Sequence, residues 1–473
     1  MSVGEIDITE TIGRVETLLR EDKSASPQFR ATIELLVVIV KLLVNKLGLN
    51  SRNSSKPPST DPNRKRISRR HVAGQKRKPG GQPGRNGINL ERVKKPDEIE
   101  TLEIDRRTLP AGKYEDAGYE SRQVIDIKIS RFVTEYLAEV LRDSKGKEYV
   151  AEFPDGVTRP VQYGKDLKAH AVYMSQHQLI PYERIQDYFS DQCGIPISTG
   201  SLCNFNKEAF DLLENFEKIA KERLISEEVV YSDETGINVK AKLLWLHCAS
   251  SERWTLFFPH EKRGLDAMKA MGVLERFHGI LCHDHWKVYF QFKCQYALCN
   301  AHHLRELTRA WEQDGQKWAK RMEKLLLKLK DLVEKSGGSI SKRRAEKYKR
   351  RYRAILRQGR RECPQLPTNH IKPKRGRMKK SKARNLLERL QNFETEVLRF
   401  MTDKKVPFTN NQGERDIRMT KVQQKISGCF RSIEGAKTFC RIRSYLSTCT
   451  KQNTPPAQAL KLLFSGKLPK FAS

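Results

Sequence analysis

Apolar and polar positions change rhythm several times along the chain, and each change marks a different kind of element. Between residues 28 and 47, Ile33, Val37, Val40, Val44 and Leu47 fall close to heptad spacing, which predicts one amphipathic helix. Such a helix is either a short coiled coil pairing two protomers or a core helix of the first domain. Farther on, Val124, Ile125, Ile127 and Ile129, then Phe132, Val133, Tyr136 and Val140, alternate with polar residues and predict a small β-rich module. From Tyr163 the spacing turns helical. Arg184–Gln192, a break at Gly194-Ile195-Pro196 and a second helix capped by Ser198 resemble a helix-turn-helix, a pattern any helical hairpin shares. Three apolar runs, Val229–Thr235, Leu243–Ala249 and Trp254–Phe258, predict an antiparallel meander. A helix near Gly264–Phe277 follows, and Gly279–Cys282 then predicts a fourth, fully apolar strand.

These rhythms divide the chain into seven parts. A helical segment with coiled-coil potential covers 1–50, a Pro/Gly-rich linker 51–97 and the β-rich module 98–155. A helical, helix-turn-helix-like DNA-binding region follows over 156–224. The first part of an α/β core spans 225–303, a helical insertion 304–400, and the last part of the core with the C-terminal tail 401–473.

Charge adds the partner. The 473 residues carry 90 Lys+Arg against 57 Asp+Glu, a net +33, and the commonest polyanion for such a surplus is nucleic acid. Residues 51–95 hold fourteen Lys/Arg, Lys78 and Arg85 among them, against Asp61 and Glu91. They read as a flexible cationic arm along phosphates, or as a solvated linker. Residues 342–361 hold eleven Lys/Arg, including Arg350 and Arg353, with Tyr348 and Tyr352 interleaved. A helix this basic is expected to track phosphates and not to face a core. Residues 371–384 add a second cationic cluster. Ten cysteines, none before Cys193, form no disulfide framework. No secretory pattern is visible, and the apolar stretch Ile33–Val44 is too short to span a bilayer. A cytoplasmic, nucleoid-associated protein with no membrane partner is expected.

The candidate chemistry lies between Val229 and Thr450. Ser232-Asp233-Glu234-Thr235 ends one predicted strand in carboxylates, and Asp284 follows another. Two acids at neighbouring strand ends suit hard divalent cations. A third is expected from a helix across that edge, and Glu414 fits, in a helix capped by Asn410 or Asn411. Glu414, Arg418, Lys421 and Lys425 share one face of that helix, with Arg415 beside them, as a metal followed by a phosphate chain would require. Cys294, Cys299, His302 and His303, with Cys282 as a further donor, have spacings a zinc ion tolerates but match no familiar finger. Cys299 and His302 are read as structural or site-adjacent, and zinc is not expected.

Taken in order, several motifs resemble a bacterial transposase of the insertion-sequence 66 family. They are Asn53–Ser59, Gly80-Gly81-Gln82-Pro83-Gly84, Ser232-Asp233-Glu234-Thr235, and Asp284 with Tyr289. Further along come Cys299-Asn300-Ala301-His302, Asn410-Asn411 ahead of Glu414-Arg415, and Ser447-Thr448-Cys449. The resemblance runs from about residue 30 to 465. It implies an α/β fold with an RNase H-like catalytic core, a mixed sheet flanked by helices, interrupted by the helical insertion. It also implies that Asp233, Asp284 and Glu414 are a DDE triad holding Mg²⁺, for which Mn²⁺ substitutes, and performing two-metal phosphoryl transfer on DNA. Transposon ends and target DNA are the implied partners, with a homodimer or higher oligomer bridging two ends. The rival expectations are a metal-dependent nuclease without strand transfer and a catalytically silent DNA-binding protein. The chain departs from the family in two places. Residues 98–152 lack the cysteines of the family's usual zinc module, and the run His285-Trp286-Lys287-Val288-Tyr289 lacks the glycine that commonly precedes the aromatic after the second acid.

Overall fold

In the computed structural model the chain is described over residues 2–3, 6–22, 24–54, 61, 90–364 and 380–472. Lys78, Arg85 and most of the basic linker lie outside those residues, as do residues 371–379 of the second cationic cluster. At the N-terminus β1 (Ser2–Val3) pairs antiparallel with β2 (Ile6–Asp7), and α1 (Ile8–Glu21) leads to α2 (Pro27–Leu47). Ser26 starts α2 by accepting from the Phe29 N–H at 3.2 Å, and Pro27 sits in the first turn. The heptad helix forms, yet Leu35, Leu36, Leu42 and Leu43 are more than half exposed, so α2 is not a core helix of its own chain. Its C-terminal end is closed by Asn53, whose amide donates to Gly48 O and, at 3.1 Å, to Glu312.

The β-rich module expected over 98–155 narrows to one hairpin, β3 (Val140–Arg142) with β4 (Glu148–Val150). Val124, Ile127, Phe132 and Val133 are exposed. Alternation without a second layer to bury it cannot hold a larger sheet together.

Helices follow: α3 (Lys165–Val172), α4 (Tyr182–Cys193), α5 (Thr199–Leu212) and α6 (Glu214–Ile225). Gly194 ends α4 in the left-handed conformation (φ 61°), and Ser198 caps α5 through the Ser201 N–H at 3.0 Å. The helical hairpin thus forms where the sequence places it. Its apolar face joins the main core, because Ile185, Phe189, Leu202 and Phe205 pack with side chains of the sheet and of the last two helices.

The sheet has five strands in the order β7-β6-β5-β8-β9. β5 (Val229–Val239), β6 (Lys242–Ser250) and β7 (Thr255–His260) form the predicted antiparallel meander. The turn Lys240-Ala241 has both φ positive (49° and 62°), the twist that matches a two-residue hairpin. α7 (Leu265–Met271) crosses over, and β8 (Ile280–His283) and β9 (Gln295–Leu298) run parallel to β5. Gly279 enters β8 where a Cβ would stand 2.6 Å from the Glu228 carbonyl.

One face of the sheet is covered by α8 (Asn300–Glu312), α9 (Lys317–Lys335), α10 (Lys342–Glu362), α11 (Lys382–Asn392) and α12 (Glu394–Leu398). They bury Tyr231, Cys282 and Leu298 under Leu307, Trp318 and Leu387. The expectation that α10 is too basic to face a core is corrected here. Ala345, Tyr352 and Leu356 form a narrow buried stripe, and the Tyr352 hydroxyl donates to Leu390 O at 2.7 Å. One turn in two is enough to anchor a helix while its cations stay in water. The chain ends with α13 (Asn411–Ser427), α14 (Ile433–Lys451) and α15 (Pro456–Phe464). α14 covers the edge strand β7: Ser444 and Thr448 hydroxyls accept from the Phe257 and Thr255 N–H groups at 2.8 and 3.0 Å.

Candidate active site

The parallel pairing of β5 with β8 sets Val229 opposite Ile280 and Tyr231 opposite Cys282. That is an offset of 51 residues, the same as the separation of Asp233 from Asp284. The same offset carried two residues past the last pair sets Asp233, inside β5, beside Asp284, just beyond the end of β8, on the face shared with Tyr231 and Cys282. Asp284 follows the last residue of β8, and its Oδ1 accepts from the Trp286 N–H at 3.0 Å. His285 turns the chain with φ 80°, a region where glycine is at home and a side chain is strained. Its ring compensates by packing against Phe393 and Phe290, with centroids 4.5 and 5.2 Å away.

Glu414 arrives on α13, which packs against β5. Asn410 stands at the start of that helix but makes no side-chain cap. Its amide instead donates to Ser232 O at 2.9 Å, and its N–H donates to Cys299 Sγ at 3.2 Å. One residue thus ties the helix start to β5 and to the entry of α8. Gly413 makes room for this, since a Cβ there would lie 3.1 Å from Asn410 Oδ1.

Electrostatics tie the three acids together. Burial pushes the Asp233 carboxyl up to about 8, helped by the negative charge of Glu234, Asp284 and Glu414. Glu414 Oε1 is buried and makes no hydrogen bond among the described residues. Its nearest cation is Arg305 Nη2 at 4.0 Å, and the His302 ring nitrogen Nδ1 lies at 3.9 Å. Burial and Arg305 hold the His302 imidazole below its ordinary value, while Asp284 and Glu414 oppose them. Burial pushes the Cys299 thiol up to about 11. Crowded carboxylates and an orphaned buried oxygen are what a hard cation would relieve, so the donor set fits Mg²⁺ or Mn²⁺.

The basic candidates divide. Arg415, Arg418, Lys421 and Lys425 are exposed along α13, and Lys421 Nζ also donates to Gly236 O at 2.9 Å. Arg350 is exposed on α10, whereas Arg353 is paired to Glu394 at 2.8 Å. Cys299 and His302 flank the first turn of α8, within reach of Glu414.

Sequence reasoning assigned no role to the network behind Asp233. Glu234 points to the opposite face, with its side chain 2% exposed. It accepts from Arg263 at 2.6 Å and from the Tyr289 hydroxyl at 2.6 Å. Burial raises its carboxyl, and these two donors oppose the shift. Arg263 lies between two indoles, 4.8 Å from Trp245 and 4.4 Å from Trp286. Strand alternation separates Asp233 from Glu234 in the sequence, but nothing there points to Arg263.

A sheet presenting acids at adjacent strand positions, a helix bringing a third acid and a strongly basic surface together describe a DNA-processing enzyme, and comparison with known families narrows the class to transposases. The family model described as Transposase IS66 family matches residues 160–438, more than half of the chain. The chain belongs to that family. A second model, a family of unknown function (DUF6444), matches residues 4–91, covering α1, α2 and most of the basic linker. No curated protein matches the chain.

Proposed function

We propose that this transposase binds the ends of an insertion sequence and catalyses Mg²⁺-dependent DNA cleavage and strand transfer on an RNase H-like core. The observation that carries the reading is the register of β5 with β8, which brings Asp233 and the end of β8 together under α13, the helix carrying Glu414, with the charges of Asp284 and Glu414 acting on the Asp233 carboxyl. The strand order, with a three-stranded meander followed by two strands parallel to its first, supports the fold reading. Asp233, Asp284 and Glu414 would hold the ions. When bound, a pair of divalent ions supplies Lewis acidity to the attacking oxygen and charge neutralisation to the leaving one.

The chain's own residues orient the reaction. Asn410 and Gly413 fix where Glu414 stands, and Arg415, Arg418, Lys421 and Lys425 line the exposed side of α13 for a phosphate backbone. Water first attacks a phosphodiester at the element's end, breaking its P–O3′ bond to leave a 3′-hydroxyl and a 5′-phosphate. That 3′-hydroxyl then attacks a target phosphodiester at the same acids, joining to its phosphorus as the target's P–O3′ bond breaks and a target 3′-hydroxyl leaves. No side chain forms a covalent intermediate. The hairpin α4–α5 would read the end sequence; the outward side of α5 carries Lys207. The exposed leucines of α2 would pair with a second copy, giving the dimer that joins two ends. Among the described residues no helix is long and apolar enough to cross a membrane.

The test is a joining assay with a pre-cleaved, end-containing duplex, purified protein and Mg²⁺. Joined products are expected. Cleavage of uncut ends without joining would make the protein a nuclease, and binding without either would make it a silent DNA-binding protein.

A further inference from the structure

Beside the proposed Mg²⁺ acids lies a second donor set of different chemistry. Cys299 Sγ, a ring nitrogen of His302 and a carboxylate oxygen of Glu414 all lie within 4.8 Å of one another, the one such group of three among the described residues. Cys299 and His302 are held by the entry of α8, three residues apart, so both aim from the same turn. Glu414 comes from α13, whose start is fastened to the same cysteine by the Asn410 N–H. His302 Nδ1 and Glu414 Oε1 are buried, and among the described residues neither makes a hydrogen bond. Two orphaned polar atoms 3.9 Å apart, beside a thiol 1% exposed, are costly unless something binds between them.

We infer that Cys299, His302 and Glu414 form a binding site for a single borderline-soft transition ion of the Zn²⁺ type, with its fourth position open. A thiol and an imidazole favour such an ion over Mg²⁺, which takes oxygen donors. Tetrahedral zinc, with Zn–S near 2.3 Å and Zn–N near 2.0–2.1 Å, needs donor–donor distances of roughly 3.3–3.7 Å. The His302–Glu414 separation of 3.9 Å lies just beyond that range, and no pair of the three donors is more than 4.8 Å apart. The other cysteines and histidines singled out in the sequence do not join this group: His303 turns to Asn300, at 3.1 Å, and Cys294 packs in the opposite core. The third donor is instead the acid assigned to the Mg²⁺ site, which no local spacing reveals. Binding of the ion stands apart from the transposase reading. Only its consequence rests on that reading: an ion there draws on the carboxylate that would also serve with Asp233 and Asp284, so one equivalent of Zn²⁺ should slow Mg²⁺-dependent cleavage, and unchanged cleavage overturns that consequence.

The test uses the metal-free full chain titrated with Co²⁺ as a zinc probe. One Co²⁺ per chain with a thiolate-to-cobalt charge-transfer band and tetrahedral visible bands is expected. Cys299→Ser should remove the charge-transfer band, and Cys203→Ser, an exposed cysteine elsewhere, should keep it. His302→Ala and Glu414→Gln should each weaken Co²⁺ at least roughly 10-fold, and they decide the matter if Cys299→Ser fails to fold. Absence of the band in wild type, or its persistence in folded Cys299→Ser, overturns the site, as does unchanged affinity in both other variants. Asp233→Asn should bind Co²⁺ as wild type does. If no Mg²⁺-dependent cleavage is found while the cobalt site forms, the transposition chemistry fails and the metal site stands.

Discussion

Replacing Arg263 with alanine isolates the energetics of the buried Glu234 carboxylate in the middle of β5. The guanidinium donates twice to Glu234, at 3.1 and 2.6 Å, from between the two indoles. Without it, a side chain 2% exposed keeps only the Tyr289 hydroxyl. An unpaired buried carboxylate escapes by taking up a proton, and that escape bounds the penalty. Protonating a group of ordinary value 4.5 at pH 7 costs about 3.4 kcal/mol, at about 1.36 kcal/mol per pH unit. Loss of the cation–π contacts adds about 0.5–1 kcal/mol. Arg263→Ala should therefore cost about 3–4 kcal/mol at pH 7 in urea denaturation. The sign with pH is defined: a carboxyl raised in the folded state binds more protons folded than unfolded, so the variant loses stability as pH rises above 4.5. The deficit should shrink toward pH 4.5, and Glu234→Gln in the same background should restore about 2 kcal/mol. A loss below about 0.5 kcal/mol, or one independent of pH, refutes the assignment of Glu234 as a buried charge held by Arg263.

Other outcomes follow from named contacts. Gly413→Ala crowds Asn410 Oδ1 at 3.1 Å; cleavage should fall at least about 10-fold with DNA affinity kept, because the displaced group sets where Glu414 stands. Burial holds His247 down to about 4. The unfolded chain thus binds the proton first as pH falls below 6.5, and His247→Gln should remove up to about 1.4 kcal/mol per pH unit from the acid slope of stability between 6.5 and 4. Arg418→Ala should lower the slope of log affinity against log salt by about one, measured by filter binding, whereas Arg353→Ala should act mainly through stability, since Arg353 is already paired to Glu394.

How much of this was legible in the sequence depends on what each signal consists of. The meander, the helical hairpin and its Ser198 cap were readable because period and punctuation are local. The expectation of acids at strand ends fits only Asp284, which follows β8; Asp233 lies inside β5, which runs on to Val239 because Gly236–Val239 keep pairing with β6. The register that sets Asp233 beside Asp284 is a pairing between segments and carries no local mark. Composition misled twice. The cations of α10 hid a buried stripe of Tyr352 and Leu356, and the alternation around Val124–Val133 predicted strands that have no layer to pack on. The lack of a glycine between Asp284 and Tyr289 did not abolish the turn: His285 takes the left-handed conformation and meets its cost through Phe290 and Phe393. Arg263 and Arg305, which sit against the acids, belong to runs with no motif at all.

The most direct measurement is Mg²⁺-dependent cleavage of end-containing DNA by wild type, Asp233→Asn, Asp284→Asn and Glu414→Gln, with DNA affinity measured alongside. Each variant should lose on the order of 10²–10³-fold or more in cleavage rate while binding DNA as wild type does. Cleavage at the wild-type rate by any one of the three contradicts a shared metal-holding role for these side chains.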